Sequence, residues 1–167
     1  MSMQADFPGM PLRESEFREG GVITVRWDMK ARYAWDAGIA IGHYLTSLKN
    51  GIIFGVHCRA CRRTVVPPRV VCEQCFHPMA DWVELKDTGR VNTFSLSHLT
   101  WDAQRIEKPI IPAVIEIHGA SPGVGILHVL GEVEPAAVKI GMRVQAVWLP
   151  PSKRRGAITD IRYFKPV

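Results

Sequence analysis

The sequence has no apolar run close to the roughly eighteen residues that a membrane-spanning helix needs. It also has no apolar leader of the kind that directs export. These two absences predict a soluble, cytoplasmic protein that makes no membrane contact. In that compartment thiols stay reduced, so we expect the few cysteines of the chain to bind a metal rather than to pair as disulfides.

A recognisable catalytic constellation is also missing. No nucleophile stands beside a base, and no open metal site is apparent. Asp102 and Glu107 share a polar segment with Arg105, where a surface salt bridge is the simpler interpretation. Three further histidines fall on predicted strands, where structural roles are commoner: His98, His118 and His128. We therefore predict no catalytic residues and a chain that is not an enzyme by itself.

What the sequence does contain is two CxxC turns separated by ten residues. All four cysteines of the chain lie in them: Cys58, Cys61, Cys72 and Cys75. Four thiolates give Zn²⁺ a closed tetrahedral site, which predicts a structural ion and a short zinc ribbon. Two disulfides are the alternative that the compartment disfavours. A rubredoxin-like iron site is a second alternative, since iron also accepts four thiolates.

The order of the segments predicts four parts. Residues 1–27 are expected to be a flexible arm, 28–51 an amphipathic docking helix, 52–80 the zinc ribbon and 81–167 a small barrel. On the helix, Ala34, Gly38 and Gly42 recur every four residues and leave a groove. We expect this groove to pack against the chain's own second domain, with docking of a partner as the alternative.

From residue 82 onward, strand-length segments alternate with turns, which is typical of a barrel. The predicted strands are 82–86, 89–100, 110–118, 124–133, 142–150 and 158–164. The fold class is therefore mainly β: an N-terminal helix, a four-cysteine rubredoxin-like zinc ribbon and an OB-fold β-barrel. Residues 101–109 are predicted to be a long polar loop.

The positive charges form two clusters rather than a continuous stripe. The formal net charge is +5, and one Zn²⁺ with four thiolates lowers it by two. One cluster surrounds the ribbon and consists of Arg59, Arg62, Arg63 and Arg69. The other comprises Lys153, Arg154 and Arg155. We expect both to be solvated surfaces.

Several motifs together resemble a known family. Val66-Pro67-Pro68-Arg69 between the CxxC pairs is one of them. The others are Trp82-Val83-Glu84-Leu85, Lys139 through Trp148, Ile158 through Pro166 and the helix end Tyr44 through Gly51. Over residues 40–166 the chain resembles the acyl-CoA-associated proteins that join a rubredoxin-like zinc ribbon to an OB-fold (domain of unknown function 35). Arg62 and Phe76 stand where many members have glycine.

The resemblance implies a non-catalytic accessory subunit that docks onto a thiolase-like or related acyl-CoA enzyme and helps to hold the CoA ester. CoA phosphates need cations, and its adenine needs a flat wall. The candidate cations are Arg105, Lys108, Lys153, Arg154 and Arg155. Trp101 or Trp148 are the candidate walls. Self-association is compatible with this role.

Two other functions remain open at this point. Zinc ribbons and OB-folds both bind single-stranded nucleic acid, but only Phe94 and Trp148 offer stacking surfaces on the strands, and the charge is modest. A rubredoxin-like electron carrier would require iron at the four cysteines. His57 and His77 flank the metal site, where we expect them to be bystanders or hydrogen-bond donors to the ligands.

Overall fold

A computed structural model describes residues 13–23, 34–100, 102 and 104–167. The chain divides into two compact units, residues 1–35 and 36–167. In the first unit a short exposed helix, α1, spans Glu14–Arg18. Most of the arm predicted at residues 1–27 lies outside the described residues. None of the helices in the described ranges is long and apolar enough to cross a bilayer.

The second unit opens with helix α2, Gly38–Lys49, which is shorter than the helix predicted over 28–51. Residues 34–37 are not helical, and residues 28–33 lie outside the described part. Asp36 Oδ1 accepts the backbone N–H of Gly38 at 2.9 Å, and Gly38 has a φ of +67°. This left-handed residue separates α2 from the preceding segment, so Ala34 contributes to no helical groove.

The C-terminal end of α2 is a Schellman motif. Gly51 has a φ of +78°. Its N–H donates to Leu48 O, and the N–H of Ile52 donates to Ser47 O. The chain turns here directly into the ribbon, because Ile53 begins the next strand.

Three strands form the ribbon sheet, in the order β2-β1-β3. They are β1 (Ile53–His57), β2 (Thr64–Val65) and β3 (Asp81–Leu85). The sequence assigned residues 82–86 to the barrel, whereas β3 pairs with β1 from Ile53↔Leu85 to His57↔Asp81. The pairing joins segments that are far apart in the sequence, so local patterns do not reveal it. Gly55 lies in a crowded part of this sheet: a Cβ there would lie 2.8 Å from Val65 O of β2 and 2.9 Å from Leu85 Cδ1 of β3.

The barrel is a five-stranded antiparallel sheet in the order β10-β9-β4-β7-β8. Its two edges meet where Leu130 bridges Phe164, and the N–H of Gly131 donates to Phe164 O at 2.9 Å. The mainly β class with a helix, a four-cysteine ribbon and an OB-fold is confirmed. Its strands are β4 (Thr88–Phe94), β7 (Pro112–Ile117), β8 (Gly125–Val129), β9 (Arg143–Trp148) and β10 (Ile161–Pro166).

Between β4 and β7 the chain forms an additional two-stranded hairpin. It consists of β5 (Ser97–Leu99) and β6 (Arg105–Ile110). The prediction of one strand over 89–100 and a loop over 101–109 was therefore wrong. The pairing of β4 with β7 ends at Phe94↔Ala113, and β5 pairs instead with β6, from Ser97↔Ile110 to Leu99↔Arg105. The hairpin closes where Thr100 N–H donates to Gln104 O.

One hydrophobic core joins the helix, the ribbon and the barrel. Tyr44 and Leu48 enter it from α2, Val56 from the ribbon, and Val144 and Phe164 from the barrel, all at most 3% exposed. The ribbon therefore packs on the same apolar side chains that fill the barrel.

Candidate functional site

The four cysteines converge at the end of the ribbon. Their Sγ atoms all lie within 4.8 Å of one another. The Sγ atoms of Cys58 and Cys75 are 3.5 Å apart, as are those of Cys61 and Cys72. Cys58 and Cys72 are fully buried, and Cys61 and Cys75 are half-buried. This set of donors can hold one metal ion.

The backbones of the two CxxC turns repeat one hydrogen-bond pattern. Arg62 N–H donates to Cys58 O at 2.8 Å, and Phe76 N–H donates to Cys72 O at 2.9 Å. Cys58 N–H donates to Arg63 O, and Cys72 N–H donates to His77 O. The turns therefore close fully with Arg62 and Phe76 at these positions. These residues adopt the left-handed conformation themselves, with φ of 61° and 58°.

The electrostatics of the sulfur atoms fit a divalent cation. Backbone N–H groups of Cys75 and Gln74 donate to Cys72 Sγ and lower the pKa of this thiol to about 6. His77 N–H lowers the pKa of Cys75, but burial and the neighbouring sulfur atoms outweigh it and raise that pKa to about 12. Because four thiolates this close repel one another, a bound Zn²⁺ would allow all of them to ionise.

Four sulfur donors leave Zn²⁺ no position for substrate, so such a site is structural. The two flanking histidines have other partners. His57 Nδ1 lies 3.0 Å from Thr64 Oγ1, and His77 Nδ1 donates to Cys75 O at 2.9 Å. His77 thus fixes the carbonyl of one cysteine and takes the expected role of a donor beside the site.

The arginine cluster around the ribbon is largely paired. Arg59 makes a two-fold contact with Asp81, with N–O distances of 2.5 and 2.6 Å. Arg63 and Arg69 both pair with Glu73, at 3.1 and 3.6 Å. Two carboxylates thus hold three of the four arginines and cancel half of the cluster's charge, so a continuous basic track for nucleic acid does not form there.

The five predicted CoA contacts fall into two places. Arg105 and Lys108 lie on β6, in the hairpin outside the barrel sheet. Lys108 lines an open cavity of about 680 Å³ together with Glu107, Glu132 and Glu134. Three carboxylates there would repel phosphate groups. Trp101, one of the two predicted walls, lies outside the described residues.

Lys153, Arg154 and Arg155 lie in the loop between β9 and β10. Arg154 Nε donates to Leu149 O at 2.7 Å, and its guanidinium lies 5.3 Å from the centre of the Trp148 ring. Arg154 therefore has a structural role. Lys153 and Arg155 are exposed and line an open cleft of about 560 Å³ with Ser152 and Thr159.

A buried carboxylate that the sequence did not single out shapes this loop. Asp160 is 1% exposed and accepts backbone N–H groups from Arg155, Gly156 and Ala157 at 2.7 to 3.2 Å. Burial raises its pKa, but these donors outweigh the burial and lower it. An aspartate shortly after glycine in Gly156-Ala-Ile-Thr-Asp160 is the sequence signal for such a capped turn.

The outer face of α2 differs from the prediction. A Cβ added to Gly38 or Gly42 would have no heavy atom within 4 Å, so neither glycine packs against the described part of the chain. The expected packing against the second domain is wrong, because the opposite face of α2 enters the core through Ala40, Tyr44 and Leu48. Ile39, beside the glycines, is 79% exposed.

The two predicted stacking aromatics, Phe94 and Trp148, are partly buried and pack against the core. The strand histidines make structural contacts: His118 Nδ1 lies 2.9 Å from Thr88 Oγ1, and His128 Nε2 donates to Ile158 O at 3.3 Å. His98 is exposed on β5.

A helix, a four-cysteine ribbon and an OB-fold barrel on one core define a two-domain class of zinc-ribbon proteins. Two family models match this chain: the rubredoxin-like zinc ribbon domain of ChsH2 at residues 46–78 and the C-terminal OB-fold domain of ChsH2 at residues 82–149. Together they cover more than half of the chain. The protein belongs to this family, the DUF35 proteins.

Three known proteins are similar to it. A DUF35 domain-containing scaffold protein of Methanocaldococcus jannaschii is 29% identical over 118 residues, which are 69% of this chain and 82% of the relative. A DUF35 structure of unknown function from Sulfolobus solfataricus has a TM-score of 0.60 at 23% identity. The match covers 78% of this chain and 87% of the Sulfolobus chain. The Ltp2-ChsH2(DUF35) aldolase has a TM-score of 0.58 at 23% identity. The match covers 81% of this chain and 98% of the aldolase chain. The two structures support the fold.

We expect Cys58→Ser and Cys72→Ser to unfold the ribbon and to lower zinc affinity on the order of a hundredfold or more, since even outer contacts of metal sites matter tenfold to a hundredfold. Bound zinc per chain and thermal melting with and without a chelator would measure this. His57→Gln, which removes no proposed ligand, should retain the metal. A melt that the chelator leaves unchanged would contradict a structural zinc.

We expect Asp160→Asn to destabilise the protein by about 2 kcal/mol, because an amide replaces a charged acceptor of several backbone N–H groups. The folded pKa of Asp160 is lowered, so its contribution is present above the ordinary aspartate pKa of about 4 and is lost as the pH falls below it. Denaturant unfolding at pH 7 and pH 3 would measure both effects. Glu107→Gln, at an exposed position, should change stability little, and an equal loss there would contradict the assignment.

Proposed function

We propose that this protein is a non-catalytic accessory subunit that docks through α2 onto a thiolase-like or related acyl-CoA enzyme. The observation that carries the proposal is the outer face of α2. Gly42 has a helical backbone and open space around it, although glycine costs about 1 kcal/mol in a helix relative to alanine. Ile39 beside it leaves most of its apolar surface in water. A partner surface that approaches the helix closely would account for both.

The known relatives agree with this role. One is named a scaffold protein, and another is the DUF35 component of the Ltp2-ChsH2(DUF35) aldolase. In the proposed role the zinc site is a rigid structural element, because a closed four-sulfur site holds the ribbon without taking part in chemistry.

We further propose that Lys153 and Arg155 hold the phosphates of the CoA ester. Both are exposed in the cleft of about 560 Å³, and the backbone-capped Asp160 is the one carboxylate among the described residues that line it. The loop that carries them contacts α2: a Cβ on Gly156 would lie 3.2 Å from Leu45 O. A partner docked on α2 would therefore border the cleft. Arg105 and Lys108 are weaker candidates because of the glutamates near Lys108.

Native purification of the tagged full-length protein from its own cells would test the docking. We expect a thiolase-like or related acyl-CoA enzyme in stoichiometric amount, with one zinc per chain. Gly42→Gln should reduce this association at least tenfold. It should not reduce stability, because glutamine favours helix by some tenths of a kcal/mol over glycine and meets no atoms of the chain.

Ile140→Gln is the matched control, since Ile140 is 70% exposed and belongs to the barrel segment rather than to α2. Equal association of the wild type and Gly42→Gln would contradict docking through this face. Recovery of nucleic acid instead of an enzyme would contradict the accessory role, and so would robust thiolase or aldolase turnover by the isolated chain.

For the CoA cleft, we expect Lys153→Ala combined with Arg155→Ala to weaken CoA binding by the complex at least tenfold, since charged hydrogen bonds to phosphate are lost. Arg105→Ala combined with Lys108→Ala removes the same charge from the hairpin and serves as the control. Calorimetric titration of each complex with CoA would compare them. A larger loss in the control pair would move the phosphate site to the hairpin.

A further inference from the structure

Two residues hold equivalent positions in the ribbon and are both unusual there. Arg62 follows the first CxxC turn and Phe76 the second, and each adopts a left-handed backbone, with φ of 61° and 58°. Large side chains rarely adopt this conformation, which glycine adopts without strain. Neither side chain is needed for the turn, because its hydrogen bonds come from the backbone.

Phe76 gains nothing from burial in this chain. Its side chain is 79% exposed. Two residues just before the second CxxC turn, Val70 and Val71, are 53% and 45% exposed. They belong to one small hairpin, because Val71 bridges Pro78 and Met79 N–H donates to Val70 O. The segment around the second CxxC turn thus exposes apolar side chains and an aromatic ring, a composition that is typical of the centre of protein interfaces.

Arg62 differs from the other arginines of the ribbon. Arg59 pairs with Asp81, and Arg63 and Arg69 pair with Glu73. Arg62 is exposed and makes no ion pair among the residues that the structure describes. It is therefore a cation available for a carboxylate outside the chain, and arginine is among the residues that contribute most at interfaces.

We propose that Phe76 and Arg62 are two anchor residues of the protein interface: Phe76 enters an apolar pocket of the partner enzyme, and Arg62 pairs with a carboxylate of the same enzyme. The inference rests on the proposed accessory function. It adds the metal-binding end of the ribbon, where Arg62 and Phe76 follow the two CxxC turns, to the docking surface. Both residues are held firmly, since their N–H groups donate to carbonyls of metal-site cysteines at 2.8 and 2.9 Å. A backbone already fixed in this way loses no freedom on binding, so only side-chain rotations are lost there.

The charges select the partner over two other occupants. In a symmetric dimer through the metal-binding end of the ribbon, Arg62 of one copy would need a free carboxylate on the same surface of the other copy. The nearby carboxylate, Glu73, is already shared by two arginines and is not free to pair with Arg62 of a second copy. Single-stranded nucleic acid needs a track of cations, and two carboxylates hold three of the four arginines here and cancel half of their charge.

The test uses Phe76→Gly and Arg62→Gly in the full-length protein, with the co-purified enzyme as ligand. Glycine suits the left-handed backbone, so both variants should bind one zinc per chain and melt no lower than the wild type. We expect each to weaken binding to the enzyme at least tenfold in calorimetric or surface-binding titrations. Ile140→Ala removes a comparably exposed apolar side chain from the barrel and should bind like the wild type.

The outcomes separate this inference from the proposed function. If the wild type and Phe76→Gly bind the enzyme equally, the anchor assignment is wrong and the accessory function stands. If the wild type binds no acyl-CoA enzyme, the proposed function fails and the inference fails with it. A lower melting temperature of Phe76→Gly would show that the ring stabilises the chain itself and would also overturn the assignment. Loss of self-association or of binding to a labelled single strand, with enzyme binding intact, would identify a different occupant.

Discussion

Four sulfur atoms within 4.8 Å of one another set the main constraint on this molecule. Thiolates at that separation repel strongly unless a cation lies among them. The backbone responds with N–H donors directed at the cysteines and with two left-handed residues that close the turns. Because the ribbon sheet is small, little other than this centre and the shared core can hold its strands in place.

The shared core connects the metal site to the surfaces. Cys58 and Cys72 belong to the same buried cluster as Leu48 of α2 and Phe164 of the barrel. On the outside, His43 of α2 stacks on Trp82 of β3, with ring centres 4.2 Å apart. The position of α2 is thus fixed relative to the ribbon from both the inner and the outer side. A partner that binds both α2 and the ribbon would meet two elements held in a fixed arrangement.

The sequence predicted the convergence of the four cysteines and the fold class well because both depend on local signals. CxxC spacing identifies four thiolates, and alternating apolar residues identify strands. It failed where tertiary contacts decide. The pairing of β3 with β1 joins segments that are far apart in the sequence, and the break between Phe94 and Ser97 contains no glycine or proline that would mark it. The start of α2 was misplaced because a helical spacing of apolar residues continues upstream of the left-handed Gly38.

Site residues show the same division. The cations could be identified from the sequence, but their partners could not, and the partners decide their use. Arg154 proves to be occupied by Leu149 O and Trp148, while Lys153 and Arg155 next to it remain exposed. The same rule separates Arg62 from the three paired arginines of the ribbon. A sequence shows where the cations are but not which of them already have partners. It therefore overstates the number of cations in a basic cluster that can bind a ligand.

The distribution of glycine in the helix and the ribbon also points to a partner protein. At positions 62 and 76 the backbone favours glycine, yet the chain carries arginine and phenylalanine; at position 42 the helix disfavours glycine, yet the chain carries it. Each choice costs stability in the isolated chain, and the described contacts offset none of them. A second protein would offset all three, because two side chains would gain partners there and one missing side chain would allow close approach. Arg62, Phe76 and Gly42 each lower stability, and contact with one partner protein would compensate for all three. This is the strongest physical argument that the molecule works as part of a complex.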